Sequence, residues 1–163
     1  MAHPTCRPVY IENTELVLPP DTNHHGTVFG GRVLQWIDIT AAIAAQRYTQ
    51  KRVVTASIDE MHFLVPIQLG NVVTLKACVN AVHRTSLEIG VRIERQDVLQ
   101  GVIEHAGTAY LTFVALDEHM RPVRIPQLNV STPAEQRRAA EAILRRDSRL
   151  AHRKSLLERR SKE

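Results

Sequence analysis

Two runs in the middle of the chain alternate with a period of two. Leu75, Ala77, Val79 and Ala81 stand against Thr74, Lys76, Cys78 and Asn80, and Leu87, Ile89, Val91 and Ile93 against Glu88, Gly90, Arg92 and Glu94. Successive side chains of a strand point to opposite faces, so each run predicts a strand with one wet face. Residues 53–63 and 105–116 follow the same pattern less regularly, and Val9, Ile11, Leu16 and Leu18 form an extended segment stopped by Pro19-Pro20. Short turns around Gly70, His83-Arg84 and Gln100-Gly101 leave no room for crossover helices, so the five strands form an antiparallel sheet.

Between the first strand and the other four the period changes. Residues 27–50 read as a helix, and between Arg32 and Arg47 its only charge is Asp38. Val33, Leu34, Trp36, Ile37, Ile39 and Ala41 to Ala45 leave no polar face, which predicts a helix enclosed on most sides. A curved antiparallel five-stranded sheet wrapped around one long helix, an α+β fold, meets that demand. The last segment opens with Thr132-Pro133-Ala134-Glu135, a capping box with proline at the first helical position, and continues helical to about Arg160. Its stripe of Ile143, Leu150 and Leu157 is too thin for a coiled coil, so a surface helix lying on its own domain or on a neighbouring subunit is expected. The chain thus divides into a domain over 1–130 and a basic helical extension over 131–163.

Composition narrows the setting. A chain of 163 residues is one domain long and buries roughly 70% of the surface of its unfolded form, enough to fold without disulfides or metal. Cys6 and Cys78 have no CxxC spacing and fit a reduced, cytoplasmic setting, with a single disulfide between them left open. The longest charge-free stretch, residues 61–75, is 15 residues interrupted by Pro66 and Gly70, too short for a membrane helix. Residues 1–8 carry two prolines and no apolar core, so no secretory signal is expected. The net charge of +4 is uneven: residues 1–131 hold 11 Lys and Arg against 12 Asp and Glu, and residues 132–163 hold 10 against 5. Basicity confined to one terminal helix reads first as a solvated face. With aromatics at 4% of the chain, no stacking cluster accompanies it, which argues against nucleic acid.

The candidate chemistry gathers around the long helix. A carboxylate in an apolar helix costs several kcal/mol unless it is paired, protonated or used, so Asp38 is a candidate general base, with a purely structural carboxylate as the competing reading. Gly30-Gly31 at the helix start would let a ligand oxygen approach the first free amides, where the helix dipole favours negative charge; a tight turn or close packing is the ordinary use. Asn23 in the preceding loop could orient a water or a carbonyl, or serve only its own turn. Seven residues of continuous helix put Asp38 roughly 10 Å beyond Gly31 along the axis. One helix cannot easily present both groups to one carbon, so a site shared across a two-fold axis is expected, with Asn23, Gly30 and Gly31 from one chain and Asp38 from another. His24-His25 lack zinc-like partners, HExxH and GxSxG are absent, and no metal site is expected. Arg84-Thr85-Ser86, between two strands, reads equally as a phosphate contact or a hairpin turn with a solvated Arg.

These residues carry a likeness. The run DTNHHGTVFGGRVLQWIDITAAIAA over 21–45 closely resembles the start of the hotdog-fold acyl-CoA thioesterases of the cytosolic acyl-CoA hydrolase type. VTASIDEMHFLVP (54–66), HRTSLEIGV (83–91) and TAYLTFVALDEHMRP (108–122) resemble that family's later strands in the same order, and the likeness covers residues 8–127. It implies a long helix in a curved five-stranded sheet, dimers sharing one continuous sheet, and trimers of such dimers. It also implies hydrolysis of acyl-CoA to free acid and coenzyme A without cofactor, with no membrane partner. By position, Asn23 and Asp38 match the family's catalytic pair, a backbone amide of Gly30 or Gly31 would polarise the thioester carbonyl, and Arg84, Thr85 and Ser86 would line the coenzyme A groove. Phe63 would line the acyl tunnel with Trp36. Phe29 departs from the pattern, standing where some relatives have His. Two alternatives remain: a hotdog dehydratase, for which the usual His ahead of the helix is missing, and an acyl-CoA-sensing module without turnover, for which a buried carboxylate is of no use.

Overall fold

The structure, a computed structural model, describes residues 5–160; residues 1–4, half of the stretch read above for a secretory signal, and 161–163, the end of the expected tail, lie outside the described residues. The elements are β1 (Thr5–Cys6), β2 (Tyr10–Leu16), α1 (Gly30–Thr49), β3 (Arg52–Ile58), β4 (Val72–Val82), β5 (Ser86–Asp97), β6 (Val102–Leu116), β7 (Gln127–Leu128) and α2 (Pro133–Arg160). Strands β2-β4-β5-β6-β3 form, in that order, one sheet whose neighbours are all antiparallel. The small parallel ladder of β1 with β7 has no counterpart in the expectations above.

The inner face of the sheet carries the alternation. Leu75, Ala77 and Val79 of β4, Leu87, Ile89, Val91 and Ile93 of β5, and Leu111 and Phe113 of β6 are buried together against Val33, Ile37, Ala41, Ala44 and Ala45 of α1. Three alanines on the contact side let the helix approach the sheet closely. Its buried Thr40 and Thr49 hydroxyls donate to the carbonyls of Trp36 and Ala45 one turn back, so neither is left unpaired. Gln50, in the left-handed region at φ 50°, ends the helix with its amide on the Gln46 carbonyl.

Three boundaries differ from expectation, each because hydrogen bonding overrides pattern. α1 begins at Gly30 rather than near Thr27, since Thr27 and Val28 are drawn into bridges with Gln68 and Thr22. β3 stops at Ile58 rather than 63, and the segment after it turns along β6, where the Leu64 amide bonds the Ala106 carbonyl. β6 begins at Val102 because its first residue pairs with Asp97 of β5.

Helix α2 lies on its own chain, across the outer face. The row Tyr10, Cys78, Gly90 and Tyr110 is in register across β2, β4, β5 and β6, and Asp59, just past β3, bonds its amide to the Tyr110 carbonyl. α2 meets this row in order: Glu135 accepts from the Tyr10 hydroxyl at 2.9 Å, Arg145 stacks over the Tyr110 ring at 3.6 Å, and Arg149 reaches Asp59. Fourteen helical residues span about 21 Å, and the four gaps between five strands about 19 Å, so α2 crosses the strands nearly at right angles. The expected capping box is formed, with the Thr132 amide on Glu135 Oε2 at 3.0 Å and the Glu135 amide on Thr132 Oγ1 at 3.2 Å.

The expectation that α1 is enclosed on most sides needs correction for the single chain. Beside the outer edge of β3, Ile39, Ile43, Val54 and Ile58 are between 36% and 48% exposed. The sheet covers one side of the helix, and among the described residues nothing covers this one.

Candidate functional site

The loop from Asp21 to Phe29 is built to present the start of α1. Buried Asp21 accepts from the Leu18 amide at 2.9 Å and pairs with Arg32 of the first helical turn at 2.9 Å, while its carbonyl takes the Phe29 amide. Within the loop, Asn23 Oδ1 accepts from the His25 amide at 2.9 Å and Asn23 Nδ2 donates to Thr27 Oγ1 at 2.9 Å, with Gly26 at φ 76° closing the turn. This is ordinary Asx-turn chemistry, and it fixes the orientation of a half-buried side-chain amide. No side chain caps the helix, and helix geometry gives the Gly30 and Gly31 amides no intrahelical acceptor. A cleft of about 320 Å³ opens beside them, lined by Thr27, Gly30, Phe63, Leu64 and Pro66. The Phe63 ring sits over Gly30, whose absent Cβ would lie 3.6 Å from it. Free amides at a helix N-terminus beside an apolar wall suit an oxygen that acquires negative charge at the end of an apolar chain.

Asp38 occupies the open side of the same helix. It is half-buried, which corrects the expectation of a buried carboxylate on a helix enclosed on most sides. Its Oδ1 accepts from Thr55 Oγ1 at 2.7 Å. Thr55 belongs to edge strand β3 and precedes a bulge at which the register with β6 shifts, the kind of irregularity that re-aims a side chain. Thr55 was not foreseen, because a β-branched residue in a strand is the commonest strand residue and signals nothing by itself. The continuous helix keeps the separation predicted from spacing: the Gly31 amide and Asp38 stand seven residues, about 10 Å, apart along α1. The hydrogen bonds of Asn23 described above stay within its own loop, so one chain does not bring Asn23 and Asp38 together through them.

Arg84 and Thr85 lie in the tight β4–β5 connection and Ser86 opens β5, the turn being closed by the His83 amide on the Ser86 carbonyl at 2.8 Å. Arg84 lies not with Gly30 and Phe63 but in a second, larger cleft of about 600 Å³ whose walls include His83, Arg124, Leu128 and Ile143. Burial, reinforced by nearby Arg146, pushes the His83 imidazole below its ordinary value, so the neutral ring is favoured there. Cys6 and Cys78 are both free thiols. Among the described residues no cluster of three or more His, Cys, Asp or Glu is placed to hold a metal ion, and no helix is long and apolar enough to cross a membrane.

A curved antiparallel sheet around a long helix, with open amides at the helix start and a lone carboxylate on its free side, defines a class. Residues 25–102 match the model of the thioesterase superfamily. YkhA of Bacillus subtilis, an uncharacterized acyl-CoA thioester hydrolase, is 38% identical over 130 residues, 80% of this chain and 76% of that protein. The mouse acyl-coenzyme A thioesterase 11 is 37% identical over 86% of this chain, which spans only 24% of that longer protein. Among solved structures, an apo-hexameric acyl-CoA thioesterase superposes with a TM-score of 0.84 at 39% identity over 88% of this chain and 92% of that one. An acyl-CoA hydrolase from Staphylococcus aureus, solved in complex with butyryl coenzyme A and coenzyme A, superposes at 0.83 with 34% identity over 95% and 98%. The chain belongs to this family of hotdog-fold acyl-CoA thioesterases.

Proposed function

We propose that the protein hydrolyses acyl-CoA to a carboxylate and coenzyme A at a site completed by a second copy of the chain. Asp38, held by Thr55, takes a proton from water as the water oxygen attacks the thioester carbonyl carbon. The negative charge that develops on the carbonyl oxygen is met by the Gly30 or Gly31 amide of the opposite copy, and each such donor contributes about 3 kcal/mol. Asn23 of that same copy positions the water or the thioester. The C–S bond then breaks, the leaving sulfur takes back the proton that Asp38 accepted, and the carboxylic acid and the coenzyme A thiol are released with Asp38 again a carboxylate. Phe63 walls the acyl chain, and Arg84, Thr85 and Ser86 bind the phosphates of coenzyme A.

The observation that carries this reading is the position of Asp38 at an incomplete surface. The free edge of β3 offers unpaired backbone groups beside exposed Ile39, Ile43, Val54 and Ile58, which is what pairing with a second β3 would cover. Residue spacing supports it too. Alanine variants of the Staphylococcus aureus hydrolase replace an Asn, an Asp fifteen residues later and a Thr seventeen further on, the spacing of Asn23, Asp38 and Thr55 here. Hexameric relatives support a homodimer at least, assembled as a trimer of dimers. In this reading residues 1–130 are the thioesterase unit, residues 131–163 an appended basic helix, and the compartment is the cytoplasm, which two free thiols suit.

The test mixes two inactive chains. With free-thiol detection on a panel of acyl-CoA esters, Asp38→Ala and Asn23→Ala homo-oligomers each lose turnover by about a thousandfold or more, equivalent to about 4 kcal/mol of barrier. Refolding them together at equal amounts restores about a quarter of wild-type activity, since half the dimers are mixed and each has one intact site. No recovery beyond the sum of the homo-oligomers overturns the shared site.

A further inference from the structure

The outer-face helix reaches the wall of the cleft. Arg149 Nη1 lies 2.8 and 2.7 Å from the two carboxylate oxygens of Asp59, and both side chains are largely buried. Asp59 begins the irregular segment that follows β3. Its amide is fixed on the Tyr110 carbonyl, the His62 carbonyl passes so close to Gly107 that a Cβ there would stand 2.9 Å away, and the Leu64 amide is fixed on the Ala106 carbonyl. Between these anchors the chain presents Phe63 to Gly30 across the 320 Å³ cleft. Phe63 itself is 47% exposed, so packing alone does not hold it, and its place depends on how well the segment is pinned at its two ends.

We propose that Arg149 is a positioning residue for the acyl cleft: by clamping Asp59 it fixes the start of the 59–64 segment and so the distance of Phe63 from the Gly30 amide. Its kinetic consequence rests on the thioesterase reading above, and its structural consequence does not. Arg149 ties α2 to the segment that follows β3. Every residue from Leu150 to Arg160 is exposed, so the helix is long enough to deliver this arginine to the cleft side and continues beyond it into solvent. A partly buried, charge-assisted clamp of this kind is worth more than a surface ion pair, because the carboxylate left behind is poorly solvated.

The test compares Arg149→Ala, Arg149→Lys and Asp59→Asn in the full-length chain with Arg153→Ala, which removes the same charge from an exposed position on the same helix. Hydrogen exchange is read at residues 59–66 and acyl-CoA kinetics are read in parallel. Arg149→Ala is expected to speed exchange of the Leu64 amide about tenfold while β5 keeps its protection. It is expected to raise KM for acyl-CoA about fivefold with kcat changed less than about twofold. Arg149→Lys recovers part of both effects, Asp59→Asn reproduces them, and Arg153→Ala matches wild type. Unchanged exchange at 59–66, or faster exchange with an unchanged KM, overturns the proposal, as does an equal loss of protection in β5, which would make the clamp a support of the whole fold. A wild-type protein without thioesterase turnover refutes the functional reading instead, and the exchange data then still decide whether Arg149 pins the segment.

Discussion

The sheet carries a helix on each face, and the two are held by different physics. On the inner face α1 is buried by apolar side chains, with Ile37, Ala41, Ala44, Ile89, Leu111 and Phe113 each at 0–1% exposure, and its buried Thr40 and Thr49 hydroxyls are satisfied by carbonyls of the helix itself. On the outer face α2 buries one residue fully, Ala142, and depends on point ties: Glu135 and Arg138 at Tyr10, Arg145 at Glu88, and Arg149 at Asp59. Apolar burial is non-directional and fixes a helix as a body, whereas each charged tie specifies one contact and leaves the intervening turns free. The inner arrangement suits a rigid scaffold. The outer one suits a helix whose use is local, at the places where it touches.

The largest effect that separates the faces is on stability. Phe113→Ala removes the largest of the fully buried side chains and is expected to cost about 3–5 kcal/mol, since the sheet cannot collapse around the space left. Denaturant unfolding measures it, and a loss below about 1 kcal/mol would mean that the inner face is not the seat of stability. The second effect concerns the tie in the middle of α2. Arg145 makes a fork with Glu88, at 2.7 and 3.2 Å, and Asn80 Nδ2 donates to the same carboxylate at 3.1 Å. Arg145→Ala strands a carboxylate whose side chain is 4% exposed and is expected to cost about 2–3 kcal/mol, below the full cost of breaking a buried pair because Asn80 remains. The double variant Glu88→Gln with Arg145→Leu should fall within about 1 kcal/mol of wild type, because the side-chain carbonyl still accepts from Asn80 while no charge is left buried. A double variant as unstable as Arg145→Ala would mean that the pair itself adds stability, and the contrast between the faces would weaken.

The same contrast decides what could be read from the residues beforehand. Inner-face strands announce themselves through period two, and Asp38 is conspicuous because it is the only charge in a long apolar stretch. The open side of α1 was not legible, because an apolar residue facing a second copy looks the same in sequence as one facing its own sheet. The outer face hid for a different reason. Glu88, Asp59 and Arg149 occupy positions where a solvated charge is the default, and nothing local distinguishes an arginine that meets a carboxylate 57 or 90 residues away. Thr55 was invisible for the same reason: its value comes from Asp38, 17 residues earlier on another element. Asn23 sits in between. Its turn chemistry was legible and is present, while the role proposed for it toward a substrate rests on a second copy of the chain.

The smallest effect concerns how α2 is started. Hydrogen bonds first from the Ser131 amide and then from the Thr132 amide, with a further one from Tyr10, lower the Glu135 carboxyl from its ordinary 4.5 to about 2. A carboxyl depressed in the folded state stabilises the fold above its unfolded value, and that contribution is lost as pH falls through the folded one. The start of α2 should therefore hold firm at pH 5 and above and loosen progressively from 4.5 down to about 2. Glu135 is open to solvent, so the loss is local and small beside that of Phe113→Ala. A carboxyl-carbon titration of Glu135 by NMR is expected to have its midpoint near 2, with amide exchange in the first turn of α2 rising over the same interval after correction for intrinsic rates. Ile89 and its inner-face neighbours hold no titrating group and should keep their protection through that interval. A midpoint near 4.5 would dissolve the capping box as a tie, and simultaneous loss of protection on both faces would show that α2 is coupled to the core, contrary to the division between apolar body and charged contacts.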